Sequence, residues 1–306
     1  MAPSKHDGQT YRGAHARGMI FVNPMPLGSP YFVVHTCPMA RILLPTDFSE
    51  NAHRATVQAV RLLGPDHRYL LFHAYSGPTL ANPLLAELVV EAQAATREQL
   101  DLAAERFRQD TGLKDLEVRM VAGPTALAVR SMVRKEGADL VVMGHSGAAG
   151  AAFLGSNTTD TIRGGDIAVL AVPKTGGAGP VRRILLASDR SGVSAEGMRA
   201  LATLVKHTGA EVVVVHITSE PEGGTSPEDE AGLAQALPGV KLQFHTRTAD
   251  DVATGIVDAA RAFDADMVAV VHRPRTGFLD RFFAPSVSRK LALESALPLL
   301  VLPQDR

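Results

Sequence analysis

The chain repeats itself, and the repeat limits what it can fold into. Arg41-Ile-Leu-Leu-Pro-Thr-Asp47 returns 142 residues later as Arg183-Ile-Leu-Leu-Ala-Ser-Asp189, and Tyr69-Leu-Leu-Phe-His73 returns as Val212-Val-Val-Val-His216. Ala138–Met143 is echoed by Ala265–Val270, and Ala168–Pro173 by Pro298–Pro303. Between the halves lies Lys174-Thr-Gly-Gly-Ala-Gly-Pro180, which carries no apolar period and reads as a linker. Two tandem domains are expected, 40–175 and 181–306, joined by a linker at 176–180.

Within each half, short apolar runs alternate with longer helical patterns. The runs are continuous, so both faces of each strand are expected to be buried, as in a parallel sheet covered by helices. Strands are expected near 41–46, 69–74, 116–121, 139–143 and 168–172, and again near 182–187, 211–216, 240–246, 266–271 and 299–302. Helices in the first half are expected near 50–63, 83–110, 125–136 and 157–164. The fold class is therefore α/β, with two tandem doubly wound parallel five-stranded sheets. The last strand of each half is short, apolar and expected at a sheet edge. Pairing those two edges would protect both and make an intramolecular pseudo-dimer.

Composition narrows the functions. With 306 residues, 45% hydrophobic, 21% charged and a net charge of −1, the chain is a globular protein with no global field for nucleic acid or an acidic membrane. Cys37 is the single cysteine, so an internal disulfide is impossible, which suits a reducing cytoplasm. No apolar run approaches the roughly 18–20 residues of a membrane span. Residues 1–39 lack any period. They read as a disordered leader or an over-extended start before Met39, with a short arm packing on a partner as the alternative.

The most specific element is Val141-Val-Met-Gly-His-Ser-Gly-Ala-Ala-Gly-Ala-Ala-Phe-Leu-Gly-Ser-Asn-Thr158. An apolar run ends in Gly144, Gly147 and Gly150, followed by Gly155-Ser156. Glycines admit positive φ and close approach of a phosphate, and the helix expected from Asn157 would aim its N-terminus at the same spot. In open α/β sheets ligands bind beyond the carboxyl ends of the strands, where Asp47 and Gly144 both lie.

These residues resemble the universal stress protein family. The resemblance is carried by Ile42-Leu-Leu-Pro-Thr-Asp-Phe-Ser49, the Val121-Ala-Gly-Pro124 turn, Asp139-Leu-Val-Val-Met-Gly144 with its glycine loop, and Val169-Leu-Ala-Val-Pro173. It implies an adenine-nucleotide α-hydrolase-like fold in each half and a stress-response protein that binds ATP, ADP or AMP in its first half. By resemblance, Pro45, Thr46, Asp47 and Ala74 would hold the adenosine end, with Gly123 in the turn beside them. Met143 and Gly144 would line the ribose and phosphate path. Gly147, Gly155, Ser156 and Asn157 would donate to phosphate oxygens, and Mg2+ would be held by the phosphates. The family pattern places nine residues between the second glycine and the Gly-Ser pair; here Ala148 to Leu154 make seven, which leaves ATP against AMP or ADP open. The second half replaces the loop with Val271-His-Arg-Pro-Arg-Thr-Gly-Phe, matching Gly144 by His272 and Gly147 by Arg275 or a neighbour, so it reads as a degenerate, non-binding repeat.

Each residue also has a plainer reading. Asp47 precedes a helical run and reads as part of a cap as well as a ligand, and Asp189 keeps that place in a half without the loop. His73 and His216 end buried strands and read as satisfied core residues. His145 can approach a phosphate or point to solvent. Ser156 and Thr158 can cap a helix, bind phosphate or accept a phosphoryl group. Arg273, Arg275, Arg281, Arg289 and Lys290, with Phe278, Phe282 and Phe283 among them, read as a solvated basic face over inward aromatics rather than as a nucleic-acid surface. No Walker-type Gly-Lys-Ser/Thr is present, so the chain is not expected to be an enzyme. The expectation is a cytoplasmic nucleotide-binding signalling protein with an unknown protein partner and a homodimer left open. A slow ATPase with weak hydrolysis or autophosphorylation, and a non-binding scaffold, are the alternatives.

Overall fold

The computed structural model describes residues 40–75, 86–145, 156–164, 167–174, 179–188, 192–219, 227–272 and 297–304. The 1–39 extension, the loop carrying Gly147 and Gly155, Asp189, most of the linker and the 273–290 basic cluster lie outside them, as does the side chain of His145.

The first repeat runs β1 (Arg41–Pro45), α1 (Glu50–Leu63), β2 (Arg68–Tyr75), α2 (Ala86–Thr111), β3 (Leu116–Ala122), α3 (Thr125–Glu136), β4 (Leu140–His145), α4 (Ser156–Arg163) and β5 (Ala168–Pro173). The second runs β6 (Arg183–Ala187), α5 (Ala195–Thr208), β7 (Glu211–Thr218), α6 (Pro227–Ala236), β8 (Leu242–Thr248), α7 (Val252–Ala262), β9 (Met267–His272) and β10 (Leu299–Pro303). All the strands join one sheet in the order β3-β2-β1-β4-β5-β10-β9-β6-β7-β8. Pairing is parallel inside each repeat. It is antiparallel only where the repeats meet, with Leu299 opposite Ala171, Leu300 opposite Leu170 and Val301 opposite Val169. The two apolar edges thus close each other, and the two five-stranded sheets form the expected pseudo-dimer.

Alternation along the buried strands builds two cores. Ile42, Leu44, Leu71, Val142 and Leu170 of the first repeat share one face with Ile184, Leu186, Val214, Ala269 and Leu300 of the second. Leu43, Phe72, Val141 and Val169 share the other face with Leu185, Val213, Val268 and Val301. Both cores cross the junction. Fully burying each such side chain is worth about 1.5–3 kcal/mol, so the repeats stabilise one another through shared layers. α1, α2, α5 and α6 cover the first face; α3, α4 and α7 cover the second.

Helices from one repeat reach the other. Arg199 of α5 lies 3.6 Å from Asp139, whose other oxygen accepts from Arg41 N at 2.9 Å. Gly64 ends α1 at φ 92, and a Cβ there would stand 2.6 Å from Nδ1 of His207. That glycine is required twice, by its backbone and by the neighbouring repeat.

Candidate functional site

The order of strands reverses between β1 and β4, and their carboxyl ends part there to leave a crevice. A cleft of about 190 Å³ occupies it, lined by Pro45, Thr46, Asp47, Ser49, Asn51, Ala52, His73, Ala74, Thr125, Met143, Gly144, Ser156, Asn157 and Thr158. Pockets that enclose a drug-sized ligand measure about 300–1,000 Å³, so this cleft matches part of such a ligand. α1, α3 and α4 all begin at this rim.

The β1–α1 turn is held by its own side chains. Thr46 N–H donates to the Phe72 carbonyl at 2.9 Å, and Phe48 N–H to Thr46 Oγ1 at 3.0 Å. Asp47 Oδ1 accepts from Ser49 N–H at 3.0 Å and Ser49 Oγ at 2.5 Å. Ser49 Oγ in turn accepts from Ala52 N–H, so Ser49, not Asp47, caps α1. Phe48 is forced to φ 66, a conformation costing a non-glycine residue about 1–3 kcal/mol. It is compensated by stacking on His73, with ring centroids 4.3 Å apart. The imidazole Nδ1–H of His73 donates to the Thr46 carbonyl at 2.7 Å. This histidine therefore clamps β2 to β1, in keeping with its plainer reading.

Gly144 has an internal reason to be glycine. Its φ is ordinary, but a Cβ would stand 2.5 Å from Nδ2 and 2.9 Å from the backbone oxygen of Asn51. The first turn of α1 packs directly on the end of β4, and the missing side chain makes that approach possible. Thr158, 2% exposed, donates its hydroxyl to the Gly144 carbonyl at 3.2 Å, so that hydroxyl ties α4 to β4. Ser156 and Asn157 are exposed at the first turn of α4, which begins one residue earlier than the sequence indicates.

Of the sequence-predicted residues, Pro45, Thr46, Asp47, Ala74, Met143, Gly144, Ser156, Asn157 and Thr158 meet at the cleft. Gly123 stands back from it. At φ 123 it makes the turn after β3, and its N–H donates to the Tyr75 carbonyl at 2.9 Å. The same turn brings Thr125 to the cleft instead. His145 ends β4 opposite Pro173. Asn51 and Thr125 were missed by sequence reasoning. An asparagine in the first turn of a helix, four residues before the buried Ala55, was the available signal.

The chemistry of the lining is limited. Among the described residues Asp47 is its one carboxylate, no Lys or Arg belongs to it, and no group of three metal-ligating side chains occurs. What the rim offers an anion is main-chain N–H. α3 starts at Pro124 with no side-chain cap, so its first-turn donors are not taken by a side chain.

The second repeat corrects one alignment. Leu140 and Met267 face equivalent positions of β1 and β6, and His145 and His272 lie opposite Pro173 and Pro303. Val271 therefore replaces Gly144, and His272 matches His145, because strand register carries no gap. α5 is capped by Ser194, which accepts from Gly197 N–H at 3.1 Å, and Asp189 lies outside the described residues. A larger cavity of about 760 Å³ lies at the opposite, amino ends of β6 and β7. Its Arg183 and Lys241 are engaged by Glu211 at 2.5 and 2.6 Å, and strand amino ends are not where such sheets bind ligands.

Among solved structures, a universal stress protein from Archaeoglobus fulgidus is 16% identical and matches with a TM-score of 0.64, covering 88% of this chain and 97% of that one. A universal stress protein in complex with cAMP is 23% identical over 44% of this chain and 98% of its own, with a TM-score of 0.36. Protein Rv1636 from Mycobacterium tuberculosis H37Rv is 27% identical over 42% of this chain and 90% of its own, with a TM-score of 0.30. No curated protein matches. No helix among the described residues is long and apolar enough to cross a membrane. The universal stress protein family profile matches twice, over residues 39–173 and 180–303. With both repeats matched and the fold shared, the chain belongs to the universal stress protein family.

Proposed function

We propose that the first repeat binds one adenine nucleotide, ATP, ADP or AMP, and that occupancy changes what the paired repeats present to a protein partner. The observation that carries this reading is the cleft at the β1–β4 crossover. There the carboxylate of Asp47, the side-chain-free edge of Gly144 and the first turns of α3 and α4 converge. Helix N-termini favour phosphate, and a buried apolar floor of Pro45 and Met143 suits a base or sugar. Mg2+ would arrive on the phosphates, since Asp47 alone is a poor metal site.

The protein works by occupancy rather than turnover. Phosphoryl transfer needs charge neutralisation and a positioned water or base, and the described lining supplies neither a cation nor a second carboxylate. A ligand then acts only through its difference in affinity for two states of the chain. The cytoplasm, where adenine nucleotides are abundant, is the compartment this reading requires.

Titration calorimetry of the full chain with ATP, ADP and AMP, with melting curves in parallel, tests it. A single saturable site is expected, with about 2.7 kcal/mol of added stability at ligand 100-fold above Kd. No heat and no melting shift with any of the three would leave the non-binding scaffold. Phosphate release at about 1 per second or faster would replace the reading with an ATPase.

A further inference from the structure

Asn51, the second residue of α1, is only 9% exposed, and its Oδ1 is fully enclosed without a hydrogen-bond partner among the described residues. Its side chain lines the cleft beside Gly144. Unpaired buried acceptors are rare because desolvation is not repaid, so one on a side chain that lines a cleft points to a group that arrives from outside and turns the amide toward it. We propose that Asn51 is the positioning residue for the ribose of the bound nucleotide, its amide hydrogen-bonding a sugar hydroxyl. This rests on the nucleotide reading above and adds which part of the ligand the residue reads.

The chemistry of the orphan selects the group. An acceptor needs a donor; a phosphate at neutral pH brings only acceptors, whereas the ribose hydroxyls and the adenine amine bring donors, and position decides between those two. A hydroxyl also satisfies the amide if its oxygen and nitrogen are exchanged, so the assignment does not depend on that orientation. Location agrees. Asn51 packs on Gly144, and Thr158 ties the first turn of α4 to that same glycine at 3.2 Å. Phosphates held at the α4 N-terminus would leave the adjoining sugar next to Asn51.

The second repeat supplies a control. α1 and α5 are both fourteen residues long and serine-capped, which sets Asn51 against Glu196. Glu196 is half-exposed and lies 3.6 Å from Arg199, so that position holds no buried orphan. Gly144 changes together with it, to Val271.

The test compares wild-type protein and Asn51→Ala, titrated with ATP, 2′-deoxy-ATP and 3′-deoxy-ATP. Wild-type protein is expected to bind one deoxy analogue about tenfold more weakly than ATP, as one lost hydrogen bond dictates. Asn51→Ala is expected to bind ATP about tenfold more weakly and to lose that discrimination. Its ligand-free melting temperature should equal or exceed wild type, because the orphan is removed; this separates a ligand role from damage to the fold. Unchanged ATP affinity in Asn51→Ala, or discrimination that survives it, overturns the proposal while leaving nucleotide binding intact. Wild-type protein that binds none of the three overturns the nucleotide reading itself and this assignment with it.

Discussion

The carboxyl ends of the two half-sheets share a skeleton and differ in what they leave unpaired. In both, a histidine two residues before the end of the second strand donates Nδ1–H to the carbonyl after the first strand: His73 to Thr46 at 2.7 Å, His216 to Ser188 at 2.9 Å. In both, the turn after the third strand returns an N–H to the second, from Gly123 to Tyr75 and from Ala249 to Thr218. The first half then leaves polar groups open: Asn51 Oδ1 has no partner among the described residues, and α3 starts at Pro124 without a side-chain cap. The second half answers the same places internally. Glu196 pairs with Arg199, and Asp251 caps α7, accepting from Thr254 N–H at 2.9 Å. At these two places the repeats differ less in fold than in whether a helix N-terminus and a first-turn side chain are answered within the protein.

Giving the first repeat the second repeat's residue should break this contrast most severely. Gly144→Val places a β-branched side chain within 2.5 Å of the Asn51 amide and 2.9 Å of a backbone oxygen that cannot turn away. Overpacking of this kind costs about 1–3 kcal/mol, and α1 is expected to shift off β4 and close the cleft. Urea denaturation should show the loss, and calorimetry should find no nucleotide binding. Adding Asn51→Ala should recover only the part owed to the side chain. A Gly144→Val protein as stable as wild type would show that the approach of α1 to β4 is not tight.

Most of the fold was legible in the sequence. Continuous runs such as Ile42–Leu44 and Val212–Val215 fixed the strands because both faces are buried, and the repeat of those runs fixed the topology. The edge pairing of Ala168–Pro173 with Leu299–Pro303 followed from two short apolar strands with nothing else to cover them. The lining of the cleft was legible where backbone makes it, at Pro45, Thr46, Ala74 and Gly144. It was opaque where three-dimensional packing decides. Gly144 was read as room for phosphate, yet the atoms that need the room belong to Asn51. By analogy with Asp47, Asp189 reads as part of the α5 cap, and it lies outside the described residues. The connection from β6 to α5 is three residues longer than that from β1 to α1, which moves the cap to Ser194.

The two caps allow a sharper comparison at smaller cost. Ser49 and Ser194 each accept a first-turn N–H, from Ala52 at 3.2 Å and Gly197 at 3.1 Å. Ser49→Ala and Ser194→Ala should each lose about 1 kcal/mol of stability in urea. Only Ser49 also holds Asp47, through contacts of 2.5 and 3.0 Å. Ser49→Ala is therefore expected to weaken nucleotide binding severalfold, and Ser194→Ala to leave it unchanged. Equal affinities in the two variants would detach Asp47 from the site.

The smallest contrast lies at the opposite ends of the strands and depends on pH. In register, Arg41 stands against Arg68, while Arg183 stands against Glu211. Arg41 turns instead to Glu136 at 3.2 Å. Glu211 is held by Lys241 at 2.6 Å and Arg183 at 2.5 Å, whose hydrogen bonds lower its pKa from 4.5 to about 2. A depressed carboxyl contributes stability that is complete above its ordinary value and drains away as pH falls from about 4.5 to about 2. With Lys241 largely in solvent, the contribution at neutral pH is about 1 kcal/mol or less. Glu211→Gln should accordingly lower the urea midpoint slightly at pH 7, and the gap from wild type should narrow steadily toward pH 2.5. A gap independent of pH would mean that the two cations do not hold the carboxylate in solution, and that the strand-end pairing of the second repeat is no more favourable than the facing arginines of the first.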